Sequence, residues 1–433
     1  MGTGDMLHGV LYGLGLRVGK LNSASRMFAT MFGRPDQLAV IGQCHDHTMY
    51  VAQVPARRFY FEPRVNLDTQ AMISKWYSFD TPMSGGDGYV FEVEALGAKM
   101  VYSDITMPTV DYANPLIKGP ADLRTLKPLD PSKGRIPYMI ELNRLAMAES
   151  TGNALGASGM FCSPFSLVCQ AMGYPAVIRA MRKTPEFLHD VMQWLEDNAL
   201  MPFLKAQKDG FGASSPIGAD AWAAFPNLTP ELIMKWVVPY SQSLIAKAKS
   251  QLGMRATPGY GAGDYCEEDP SKFDPEIIRA CFTAGRAAAG NAPMIFLAMG
   301  RVDQLPLDVV QKYAVDNGKF PMTKLTIFAG VNARVLRDKK PEEIAAVIRR
   351  YIDVMGRDGR LNIFLANIPA DAPPLNIHTA VQAIKTYGRY PIPANLDAVP
   401  FEIPKVEPFH DYLQRLSQAG NERAARVLSY RQA

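Results

Sequence analysis

The stretch GFGASSPIGADAWAAFPNLTPELIMKWVVPYSQSLIAKAKSQLG, residues 210–253, decides the fold. Its opening, 210–217, reads as a short strand. An elbow carrying polar side chains follows at 216–227. A helix then begins: Thr229 is placed to cap it, Pro230 to fill the first helical position, and Glu231 to complement the positive end of the helix dipole. Leu232, Ile233, Trp236, Val237, Tyr240, Leu244 and Ile245 recur at helical spacing. Strand, polar elbow and helix form the repeating unit of a parallel α/β sheet. In a βα-barrel the elbow lies at the carboxyl end of the strand, where the chemistry gathers.

The same unit recurs outward from this stretch. Apolar strand candidates are 155–161, 210–217, 255–260, 294–298, 325–329 and 361–366, and helical segments separate them at 174–208, 229–251, 274–289, 305–317, 341–356 and 376–387. Upstream, 38–42 is a short apolar strand, 55–85 is mostly helical, and 90–104 alternates as strand pairs broken at Gly97. Residues 108–137 form a proline-rich connection, and 140–149 a helix. Six units, the strand at 38–42 and one from the region of Val90 make eight, a count that a family resemblance helps to reach and that favours a closed barrel over an open sheet. The expectation is an α/β protein, a single elaborated (β/α)8 TIM barrel over 38–392. A leader at 1–37 forms an N-terminal extension, and 393–433 a C-terminal extension whose terminal helix spans 407–431.

With 433 residues, 48% of them hydrophobic, the chain can bury a large core. The net charge of +4 arises from 46 basic and 42 acidic residues with no basic run, which gives nucleic-acid binding no support. Five cysteines without a regular framework read as reduced thiols, and no secretory leader or bilayer-length apolar run is visible. A cytoplasmic protein with no membrane partner is expected. The 22 methionines read as adaptable core filler.

His45, Asp46 and His47 form the densest titratable cluster, just past the strand at 38–42. Histidines near neutral pKa can shuttle protons; the alternative is a pair hydrogen-bonded within a loop. Asp220 and Trp222 set a carboxylate beside an aromatic face in the elbow. A carboxylate in an apolar pocket keeps its proton and can act as an acid, and the indole can stack on a planar ligand. The alternative is a turn-capping Asp and a core Trp. Asp104 and Asp111 are lesser candidates of the same kind. His45, His47 and Asp220 make the catalytic set; Asp46, Trp222, Tyr260, Asp264, Asn332 and Asn367 make the substrate- or cofactor-binding set. Asp264, Cys266 and Glu267 are conceivable metal ligands together with the histidines, against a plain solvated acidic loop. The run Gly259, Gly261, Gly263 lacks the spacing of a nucleotide fingerprint and reads as a flexible loop, and Cys162 and Cys169 read as packing residues.

Several pieces, in order, carry a family resemblance. "VFEVEALGAKMVYSD", "ITMPTV" and "PLIKGPADLRTLKPLDP" precede the first long helix. "GMFCSPFSLVCQAMGYPAVIRAMRKTPEFLHDVM", "LTPELIMKWVVPY", "LTIFAGVNARVLRDKKPEEI" and "ADAPPLNIHTAVQAIKTYGRYP" follow. Across about residues 35–392 the chain resembles the uroporphyrinogen decarboxylase superfamily, and its cobalamin-linked methyltransferase branch more than the decarboxylase itself. That branch implies a zinc ion held by a His-x-Cys pair after the fifth strand and a distant Cys, with the metal making a thiol nucleophilic. Here Thr257 and Gly259 fall where the pair belongs, and GVNARVLRD has no Cys, so zinc is doubtful. The decarboxylase implies an arginine-rich N-terminal signature and a Gly-His-Gly after the last strand. Here Arg17, Arg26, Arg34, Arg57 and Arg58 are scattered, and the last strand reads Phe364-Leu365-Ala366-Asn367.

The resemblance therefore implies a methyltransferase moving a methyl group between a small substrate, such as a methoxylated aromatic, and a cobalamin or other corrinoid, that is, O-demethylation. An Asp-x-His-x-x-Gly motif is absent, so the corrinoid is expected free or on a separate corrinoid protein. A homodimer is the assembly that relatives suggest. Two alternatives stand beside this reading: a corrinoid-independent decarboxylase or lyase, and a non-catalytic ligand-binding barrel.

Overall fold

The computed structural model describes residues 3–13, 16, 21, 23–30, 33, 35–82, 90–149, 159–259, 273–297, 302–318 and 324–431. Nine strands lie among them: β1 (Val40–Gly42), β2 (Thr81–Pro82), β3 (Met100–Val101), β4 (Thr109–Val110), β5 (Met160–Cys162), β6 (Ile217–Ala219), β7 (Met294–Leu297), β8 (Thr326–Gly330) and β9 (Leu361–Leu365). One sheet runs β2-β1-β9-β8-β7, with every neighbouring pair parallel. A second pairs β5 with β6 in parallel, and Ile217 of β6 bridges Thr257 in the same sense.

Pairing of β1 with β9 is decisive. Val40, Ile41 and Gly42 align with Ile363, Phe364 and Leu365, so the first barrel strand lies against the last. That is the seam of a (β/α)8 barrel: β1, β2, β5, β6, Thr257, β7, β8 and β9 follow one another round the ring, with helices between them on the outside. Strand ladders are interrupted, among the described residues, between β2 and β5 and between Thr257 and β7. Side chains satisfy the β5 edge at the first interruption. Gln207 accepts from Met160 N at 3.0 Å and donates to Met160 O at 2.8 Å, and Glu92 accepts from Cys162 N at 2.6 Å. Buried backbone groups need such partners when the ladder does not supply them.

Three expectations are corrected. The second barrel strand is Thr81–Pro82, inside the segment read as helical, whereas Val90 starts a helix at Phe91–Ala95. Five residues cannot separate a period of two from one of 3.6, and Phe91, Glu92 and Val93 are all buried. Beyond Gly97, β3 and β4 form a short antiparallel ribbon outside the barrel. Residues 210–217 are not one strand: the helix Met201–Phe211 runs on to Gly212, whose φ of 76° makes it the left-handed cap, and β6 starts at Ile217. The terminal helix is two, Phe409–Gln418 and Glu422–Tyr430, parted at Gly420, with Asn421 capping the second.

Both ends of the chain are tied to the barrel. The helix Ser23–Ala29 sits below the amino ends of the strands. Its Arg26 pairs with Asp36 and Asp80, Met27 packs with Ile41 and Phe364, and Thr30 accepts from Asn362 of β9 at 2.9 Å. At the other end, Arg423, Arg426 and Tyr430 converge on the fully buried Asp68 of the helix Pro63–Tyr77.

Candidate active site

All barrel strands run one way, so their carboxyl ends share one rim. Two polar groupings stand there.

The first follows β1. Gln43 Oε1 accepts the Asn367 backbone N–H at 3.3 Å, which fixes the orientation of the Gln43 amide. Its Nε2 stands 2.7 Å from His45 Nε2, within hydrogen-bond distance. Asn367 itself is exposed and left-handed, with φ of 46°. The next two residues turn away from the rim. Asp46 accepts from Tyr60 OH at 2.6 Å and Met107 N at 2.9 Å, tying the β3–β4 ribbon to the barrel. His47, in the helix Asp46–Ala52, is fully buried. Its Nδ1 bonds Pro369 O at 3.0 Å and its Nε2 bonds Tyr77 OH at 2.7 Å. Burial pushes its imidazole down to about 4 despite the two carbonyls it faces. His45 and His47 thus do not face one way, because the strand ends at Gly42 and a helix begins at Asp46.

The second grouping follows β5 and β6. Asp220 is 3% exposed, and its Oδ1 accepts from both Ser166 N, at 3.0 Å, and Ser166 Oγ, at 2.5 Å. Oδ2 makes no hydrogen bond to a described residue. Burial pushes the carboxyl up to about 7, against the pull of the Ser166 donors. Beside it, Trp222 stacks on Tyr174, ring centroids 5.3 Å apart and planes 21° apart, and meets Tyr112 edge-on at 6.3 Å. Tyr112 is 44% exposed, so this aromatic wall reaches solvent. Cys162 and Cys169 lie near the carboxylate, but burial pushes both thiols far up, which makes them poor nucleophiles.

Other candidates take local duties. Asn332 caps the helix Ala333–Asp338 by accepting from Arg334 N at 2.8 Å. Asp104 pairs with Arg57 at the surface, and Asp111 accepts from Asn114 and Lys99 in a turn. Tyr260, Asp264, Cys266 and Glu267 lie outside the described residues. Gln43, Ser166, Tyr112 and Tyr174 were not singled out from sequence. A groove of about 670 Å³ lies between the helices Pro230–Trp236 and Pro275–Ala288, lined by Met234, Ala280 and Thr283. It faces outward from the barrel wall and holds none of these residues.

The zinc site of the methyltransferase branch does not fit. An ideal Cβ at Gly259 would stand 1.9 Å from the Gly218 carbonyl oxygen, so no side chain can occupy the position where the Cys belongs. Thr257 joins the β6 ladder.

The family model described as uroporphyrinogen decarboxylase (URO-D) matches residues 44–387. The chain belongs to this family. The uroporphyrinogen decarboxylase family barrel accounts for the ring order of the strands. Among solved structures, the chain is similar to a methyltransferase from Methanosarcina mazei, with TM-score 0.60 and 13% identity over 84% of this chain and 98% of that one. At that identity the likeness shows the shared fold. No curated protein matches the chain. Among the described residues no helix is long and apolar enough to cross a membrane.

Proposed function

We propose that this family member is a methyltransferase that takes a methyl group from a small methoxylated aromatic compound and passes it to a corrinoid. The observation that carries the reading is Asp220: a buried carboxyl at a strand end with one oxygen saturated, the other without a described partner, and an aromatic wall beside it. Such a group holds a proton near neutral pH and can deliver it. The methyl–oxygen bond breaks with its electron pair left on oxygen. Asp220 Oδ2 passes its proton to that oxygen, the phenol leaves, and the carboxylate recovers a proton from solvent. Trp222 and Tyr112 offer the ring a flat surface.

A corrinoid, when bound, supplies the nucleophile that receives the methyl group. Its fit is to the rim as a surface: His47 is buried and His45 is engaged by Gln43, so neither stands out as a ligand for cobalt. This supports a corrinoid that is free or carried by a separate protein. The usual His-x-Cys zinc pair has no place in the reading, since the Gly218 carbonyl fills the space a side chain at 259 would need.

The test is absorbance of cob(I)alamin mixed with the protein and a panel of methoxylated aromatics. Wild type is expected to give spectral turnover, and Asp220→Asn to lose about a hundredfold or more in rate, the scale of a missing general acid. Binding without turnover supports a ligand-binding barrel instead, and release of carbon dioxide from carboxylated rings without corrinoid supports a lyase.

A further inference from the structure

Asp220 and Ser166 stand 54 positions apart in the chain. Ser166 gives both its backbone N–H and its hydroxyl to one carboxylate oxygen, Oδ1, at 3.0 and 2.5 Å. The same hydroxyl oxygen accepts the Trp222 backbone N–H at 3.1 Å. Because a hydroxyl has one hydrogen, the Trp222 contact on its oxygen leaves that hydrogen directed at Asp220. Ser166 lies in the first turn of the helix Pro164–Met172, where backbone N–H groups have no partner inside the helix and the dipole is positive. Ser163, at the cap of that helix, is fully buried, and its hydroxyl has no hydrogen-bond partner among the described residues. The helix end is therefore capped from the β6 elbow, across the barrel wall, rather than by its own serine.

We infer that Ser166 is the positioning residue of the site: it keeps Oδ1 an acceptor, leaves Oδ2 to carry the proton, and seats the 220–222 elbow against the helix. This rests on the acid role given to Asp220 above. The two Ser166 donors favour the ionised carboxyl while burial favours the neutral one, so removing a donor moves the balance in a known direction.

The experiment is an infrared titration of the protonated-carboxyl band, read on the whole protein without substrate. The Asp220 band is assigned by its loss in Asp220→Asn. In Ser166→Ala the band is expected to persist to higher pH by about one unit or more, the scale of one hydrogen bond to a charged group. Ser166→Cys, a weaker donor of similar size, is expected to fall between, and it stands in should the alanine variant fail to fold. A midpoint that stays put in folded Ser166 variants overturns the assignment. If the wild-type band is lost well below neutral pH and still moves in the variants, Ser166 keeps its role while the acid role of Asp220 fails.

Discussion

Asp220 and His47 are buried titratable groups with opposite consequences. The Asp220 carboxyl sits at about 7 in the fold and near 3.8 when the chain is unfolded. The folded state thus binds the extra proton between those values, and the stability this contributes is complete below about 4 and is lost as pH rises through 7. Asp220→Asn cannot lose it. The difference in melting temperature, variant minus wild type, is expected to grow from pH 4 to pH 8, by up to about 4 kcal/mol in free-energy terms. For His47 the sign reverses: about 4 when folded and 6.5 when unfolded. Its contribution is complete above 6.5 and is lost as pH falls toward 4. His47→Gln is expected to flatten that acid limb, and an unchanged acid limb by calorimetry would place the proton-linked loss elsewhere. His378, which burial also lowers to about 4, adds to the same limb.

At the scale of elements, the strands read from continuous apolar runs came out within about a residue: 294–298 as Met294–Leu297, 325–329 as Thr326–Gly330, and 361–366 as Leu361–Leu365. Short segments failed, because glycine pairs and five-residue alternations suit a helix end as well as a strand. The elbow residues Asp220 and Trp222 were legible as polar and aromatic side chains just past a strand. Ser166 and Tyr112 were not, since the contacts that matter span tens of positions and local pattern does not encode them. Gly259 gives a prediction at this scale. Gly259→Cys, alone or with Thr257→His, is expected to lower the melting temperature rather than create a zinc site, because the new side chain meets the β6 backbone. Metal content by mass spectrometry, read beside the melting curve, checks both halves. Gln207→Leu strips the paired N–H and C=O of Met160 at the β5 edge and is expected to cost about 2 kcal/mol in denaturant unfolding.

Taken as a whole, the molecule is a barrel braced at both ends of the chain. Asp68 has a fully buried side chain and takes hydrogen bonds from Arg423, Arg426 and Tyr430, so the helix Glu422–Tyr430 is held by a charge that cannot be left alone. Asp68→Ala is expected to cost about 3–5 kcal/mol and to expose the C-terminal helices to limited proteolysis before the barrel unfolds. Cleavage that begins inside the barrel instead would mean that this cluster does not govern docking of the tail. The seam between β1 and β9 has a consequence for how the chain is made. Hydrogen bonds at Val40–Gly42 wait for residues 361–365, so a nascent chain leaving the ribosome holds an open arc with unpaired strand edges until about 320 further residues have been made, and only then can the ring shut.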